Sequence, residues 1–128
     1  MADIFLAYSR ANSQKADQFR AAFKKEGYSV FVDVNTPTGA RWREHIETQL
    51  NACDVLVVLW SKTSVKSDYV KEEADVAKDS KKLFPVMITK CDLPYGFRSY
   101  QTLDLTSWRG DLNAPQWRRL IEDIRSRS

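Results

Sequence analysis

The sequence predicts an α/β fold, an open parallel sheet with helices on both faces. Three observations carry that expectation. Short runs of β-branched and aromatic residues alternate with segments of helical period. The run Val55 to Trp60 is apolar at every position, as suits a strand buried on both faces. No repeat, linker or low-complexity stretch divides the 128 residues, so a single domain over 1–128 is expected, with a radius of gyration of roughly 14 Å.

The elements follow in order. Ile4 to Tyr8 reads as a first strand that ends in the polar cluster Ser9 to Ser13, and Ala16, Phe19 and Phe23 mark a helix that Gly27 stops. Tyr28 to Val32 reads as a second strand closing on Asp33, and Asn35, Thr36, Pro37 and Gly39 make a loop. Trp42, Ile46, Leu50 and Cys53 form an apolar stripe that faces a sheet if the segment is helical. After the strand Val55 to Trp60 comes a Ser- and Lys-rich loop from Ser61 to Ser67, then a helix marked by Val70, Ala74 and Ala77. Leu83 to Ile88 reads as a strand, with Pro85 indicating an edge or an end nearby. Thr89 to Gln101 has no period and reads as irregular. A last strand around Thr102 to Leu105 precedes a helix opened by Pro115 and carrying Trp117, Leu120, Ile121 and Ile124 on one face.

Composition excludes several function classes. An apolar fraction of 43% with 29% charged residues argues against disorder, and a net charge of +3 implies neither a nucleic-acid nor a membrane-surface partner. The longest apolar run spans Val55 to Trp60, whereas a membrane crossing needs about 20 residues. Cys53 and Cys91 form no CxxC pair and no signal segment precedes the first strand, so free thiols and a cytoplasmic, reducing compartment are expected. His45 is the only histidine, which leaves no multi-histidine metal site; no metal and no cofactor are expected.

In an open α/β sheet, ligands bind beyond the carboxyl ends of the strands. The loops beginning at Ser9, Asp33 and Ser61 are therefore the places to look. The third strand ends Leu59-Trp60-Ser61, without the aspartate a phosphate-accepting receiver domain needs, and the turn Tyr8-Ser9-Arg10-Ala11-Asn12 holds no glycine for a dinucleotide fingerprint. No nucleophile elbow surrounds Ser9 or Ser61, so turn and cap roles suit their hydroxyls. The adjacent pair Glu72 and Glu73 is more telling. With Val70, Ala74 and Ala77 as the buried arc, Glu73 lies roughly 50° from its centre and Glu72 roughly 150° away, as a solvated carboxylate. Glu73 is then either a ligand-gripping carboxylate or a boundary salt bridge. Trp42 is either a core anchor or the wall of a cleft.

Taken together, these segments resemble the TIR (Toll/interleukin-1 receptor) domain family, particularly its bacterial-type NAD+-cleaving members. Asp3-Ile4-Phe5-Leu6-Ala7-Tyr8-Ser9 resembles the family's first box, and Gly27 to Asp33 its second strand with the terminal aspartate. Gly39, Trp42, Ile46 and Leu50 resemble the following loop and helix, and Ser61 through Ser67 with Tyr69-Val70-Lys71-Glu72-Glu73 the serine-flanked loop and the glutamate-bearing helix. Tyr69 stands where many members carry tryptophan. The resemblance implies a flavodoxin-like sheet in the order 2-1-3-4-5.

It also implies cleavage of the nicotinamide–ribose bond of NAD+, as substrate and not cofactor, to ADP-ribose or a cyclic form, in immune signalling. Glu73 would be the catalytic carboxylate, and Tyr8, Ser9, Arg10, Asp33, Gly39, Trp42, Ser61, Ser67 and Tyr69 would line the substrate. Activity would require self-association with other TIR domains, the loop from Asp33 to Arg41 of one covering the site of another. The alternative within the family is a non-catalytic scaffold that signals through TIR–TIR contacts.

Overall fold

The computed structural model describes residues 3–32 and 42–127. Among them, β1 (Asp3–Ala7), β2 (Ser29–Phe31), β3 (Val55–Trp60), β4 (Leu83–Met87) and β5 (Leu103–Asp104) form one sheet in the order β2-β1-β3-β4-β5. All four pairings are parallel. Ile4 lies between Val30 and Val55, Val58 opposite Pro85, and Val86 opposite Leu103. The order implied by the resemblance is the order observed.

Side chains of β3 alternate between the two faces, and the run is apolar throughout because both faces are covered. Val55, Val57 and Leu59 pack against α1 (Ser13–Lys25) and α4 (Pro115–Arg127); Leu56, Val58 and Trp60 pack against α2 (Trp42–Asn51) and α3 (Asp68–Asp79). On the first face Trp117 stacks on Trp108 at 4.7 Å and 8°, and lies 4.8 Å from the ring of Phe23. Its indole Nε1 donates to Glu26 Oε2 at 3.0 Å, a carboxylate that Arg118 also grips at 2.5 Å. This joins the end of α1 to α4.

Most element ends differ from the sequence expectation by a residue or two. Tyr28 lies between α1 and β2, in the turn that closes the helix: its N–H donates to Phe23 O at 3.0 Å and Gly27 N–H to Lys24 O at 3.0 Å, with Gly27 at φ +94°. Likewise Tyr8 and Val32 fall outside β1 and β2, Ile88 outside β4, and Thr102 and Leu105 outside β5. Pro85 is tolerated in a paired strand for a geometric reason. Neighbouring residues of β4 point to opposite neighbours, and Ile88 N–H bonds Trp60 O, so even-numbered residues face β3. Pro85 then faces β5, which pairs only Val86 and Met87, and its missing donor leaves no ladder bond unmade.

Both cysteines are free thiols. Burial, chiefly, and the charge of Asp3 push the Cys53 thiol up to about 11, and burial also raises that of Cys91. Cys53 is 5% exposed. At pH 8 an alkylating reagent is therefore expected to label Cys91, which is only half-buried, well before Cys53, as read by peptide mass spectrometry of the native protein.

Candidate functional site

β1 is the first strand in sequence yet lies inside the sheet, between β2 and β3. Chain crossovers leave it in opposite directions, which opens a crevice at the carboxyl ends of β1 and β3. Two loops meet there. The first holds Tyr8, Ser9 and the 3₁₀ turn Arg10–Asn12; the second runs from Ser61 through the 3₁₀ turn Ser64–Lys66 to α3.

Hydroxyls join the two loops. Ser9 Oγ donates to Asn12 Oδ1 at 2.8 Å, and Ser61 Oγ donates to the same oxygen at 2.6 Å. Thr63 Oγ1 lies 2.6 Å from Ser9 Oγ and 3.1 Å from Asn12 Oδ1. Deeper in, Ser61 N–H donates to Ser64 Oγ at 2.6 Å, Ser64 N–H returns a bond to Ser61 Oγ at 3.0 Å, and Ser64 Oγ donates to Leu59 O at 2.9 Å. Ser61 is 1% exposed and Ser64 fully buried. The hydroxyl of Ser61 is thus engaged in tying loops together. Ser67, just beyond, caps α3 by accepting from Val70 N–H at 3.2 Å. Ser67 thus fills a cap role and Ser61, accepting from Ser64 N–H, a turn role, whereas Ser9 makes no cap bond and its hydroxyl joins the loops instead.

Glu73 is the one acidic residue buried among the described residues, at 3% exposed. The sequence pattern put it on the flank of the apolar stripe, and the structure corrects this. Val76 is buried as well as Val70, each 2% exposed, and Glu73 stands about 60° around the helix from both. The buried arc is wider than the stripe because α2 packs alongside α3, with Ile46 and Leu50 in the same apolar cluster as Val76. A stripe read from α3 alone cannot register a second helix covering its side.

Glu72 points outward, as expected, but not into plain solvent. It lies 3.8 Å from the Arg43 guanidinium, which also reaches Asp75 at 3.0 Å, Asp79 at 2.5 Å and Glu47 at 3.2 Å. The hydrogen bonds that the Arg43 guanidinium donates to Asp75 and Asp79 raise its pKa. A cation in the first turn of a helix opposes the helix dipole, and here the carboxylates of α3 offset it. Arg43 thereby holds the start of α2 to the outer face of α3.

The remaining expected site residues divide. Tyr69 packs half-buried against the α2–α3 core, one turn before Glu73. Tyr8 packs against the α1–α4 core, across the sheet from Glu73, and Arg10 is exposed on its 3₁₀ turn. Trp42 is the first residue of α2, but its side chain, with Asp33 and Gly39, lies outside the described residues. Sequence reasoning passed over Asn12, Thr63, Ser64 and Arg43. A signal existed for the first: Asn12 precedes a helix and follows a strand end, where a polar side chain serves either the helix or the crevice. Among the described residues, no group of three or more His, Cys, Asp or Glu could hold a metal ion, and no helix is long and apolar enough to cross a membrane.

Comparison with curated proteins gives no match. Among solved structures, the chain is similar to the TIR domain of the Toll-related receptor TRR-2 from Hydra magnipapillata, at 20% identity and a TM-score of 0.80, covering 98% of this chain and 99% of that one. It is also similar to the TIR domains of the activated Roq1 resistosome that recognises the effector XopQ, at 16% identity and a TM-score of 0.50, covering 98% of this chain and 72% of that one. At those identities the likeness is one of fold. The TIR domain family model matches residues 4–121, the span from β1 into α4, and the chain belongs to the TIR domain family.

Proposed function

We propose that this domain cleaves the nicotinamide–ribose bond of NAD+, with Glu73 as the catalytic carboxylate. The observation that carries the reading is the burial of Glu73, a carboxylate only 3% exposed, on the helix that follows the crevice loop. Burying a carboxylate costs free energy, and a site that needs fixed negative charge in a water-poor setting is a reason to retain one.

Departure of neutral nicotinamide leaves positive charge on the ribose C1 and ring oxygen. A carboxylate held beside that centre stabilises it more than it stabilises the ground state, as in glycoside hydrolysis. Attack of water at C1 gives ADP-ribose and releases a proton; attack by the adenine or ribose of the same molecule gives a cyclic product. In this reading Arg10 meets a phosphate, Trp42 walls the ribose or nicotinamide, Tyr69 positions the helix of Glu73 against the cleft, and Tyr8, Ser9, Asp33, Gly39, Ser61 and Ser67 shape the surrounding loops. Free thiols suit the reducing cytoplasm, where NAD+ is available.

In this reading the site is completed by self-association, in keeping with membership of the TIR domain family and with the likeness to TIR domains that sit in an activated resistosome. Activity per molecule is therefore expected to rise with protein concentration or crowding, and charge changes between Asn35 and Arg41 to lower it. Nicotinamide release followed across about 100-fold in protein concentration checks this. Strictly linear dependence would count against assembly. A protein that stays inert when concentrated would favour the scaffold reading of the family instead.

A further inference from the structure

Asn12 occupies the N-cap position of α1, where an asparagine ordinarily accepts a hydrogen bond from the first turn of its helix. Its side chain makes no such bond. Ser9, at the corresponding position before the 3₁₀ turn Arg10–Asn12, makes none either. Both side chains turn away from their own backbone and toward the other loop. Asn12 Oδ1 receives Ser61 Oγ at 2.6 Å and Ser9 Oγ at 2.8 Å, which accounts for both lone pairs, and Thr63 Oγ1 lies 2.6 Å from Ser9 Oγ, where its proton has a taker. Every hydroxyl proton of the cluster has an acceptor.

The bonds span 49 to 54 residues of sequence and join the ends of two neighbouring strands. On one side of the join lies Arg10. On the other, Ser61 and Thr63 lead through the turn Ser64–Lys66 to Ser67, the N-cap of α3, and so to Tyr69 and Glu73. We infer that Asn12 is a positioning residue, a latch that sets the first loop against the loop beginning at Ser61 and thereby fixes Arg10 relative to the helix carrying Glu73. Forgoing two local caps for bonds across the crevice is a sacrifice of stability for geometry.

The consequence for turnover rests on the proposed function; the latch itself does not. Three variants separate the roles. Asn12→Asp keeps an acceptor of the same reach, Asn12→Ser keeps a good helix cap but is too short for Ser61 and Thr63, and Asn12→Ala removes both. Amide hydrogen exchange of Ser64 to Ser67 is expected to speed up by about 10-fold in Asn12→Ala and Asn12→Ser, and to stay near the parent in Asn12→Asp. The same order is expected in kcat for nicotinamide release, with losses of about 10-fold to 100-fold, since small misplacements of reacting groups cost rate.

Asn12→Ser matching the parent in exchange would show an ordinary helix cap and overturn the latch. So would unchanged exchange in Asn12→Ala. Altered exchange with unchanged kcat in an active enzyme would overturn the positioning role. A parent protein that cleaves no NAD+ overturns the reading of the site and, with it, the catalytic consequence of Asn12, while the exchange comparison still decides the latch.

Discussion

Glu73→Gln is expected to lower NAD+ turnover by at least about 100-fold while leaving the fold intact. The exchange keeps shape and volume and removes only charge, so the loss measures what a carboxylate contributes as positive charge develops on the ribose. Glu72→Gln, one residue away on the outer face of α3, serves as the internal control. It pairs with Arg43 at 3.8 Å and is a third exposed, and Arg43 keeps Asp75 and Asp79. Its loss is expected to change turnover little. Thermal unfolding separates activity from stability. Exposed ion pairs contribute little, so Glu72→Gln should leave the midpoint near the parent. Glu73→Gln should leave stability within about 1 kcal/mol of the parent, because the isosteric amide keeps the packing around it. Equal turnover in the two variants would remove Glu73 from the mechanism.

Trp117→Ala should have the largest effect on stability. Trp117 is fully buried between α1 and α4, stacked on Trp108 and against Phe23, and its indole N–H is satisfied by Glu26. Truncation leaves a cavity among aromatic rings that cannot collapse onto one another without moving a helix, which costs about 3–5 kcal/mol. It also deprives Glu26 of a donor, though Arg118 keeps its own contact with that carboxylate at 2.5 Å. For a domain of this length the midpoint should fall by roughly 12–20 °C. Trp117→Phe keeps most of the volume and removes the N–H, so its smaller loss would isolate the hydrogen bond. A drop of only a few degrees in Trp117→Ala would mean that α4 contributes far less to the core than its burial indicates.

The sequence by itself determined the elements whose burial is visible in their own period. Val55 to Trp60 could only be a strand covered on both faces, and Trp117, Leu120, Ile121 and Ile124 could only be one side of a helix, because hydrophobic patterning reports the nearest large surface. It also separated Glu73 from Glu72, since adjacent helical residues differ by about 100° in direction. Element ends were less legible: whether Tyr28 closes a helix or opens a strand depends on a backbone bond to Phe23 that propensity does not encode. Other features belong to tertiary structure alone. The burial of Glu73 on both sides comes from α2 lying beside α3, and the grip of Arg43 on Asp75 and Asp79 crosses more than 30 residues. The turning of Asn12 from its own helix toward Ser61 depends on β1 and β3 being neighbours in the sheet. Local sequence specifies which groups a residue can bond, but only the packed fold brings distant partners within about 3 Å, where a hydrogen bond forms.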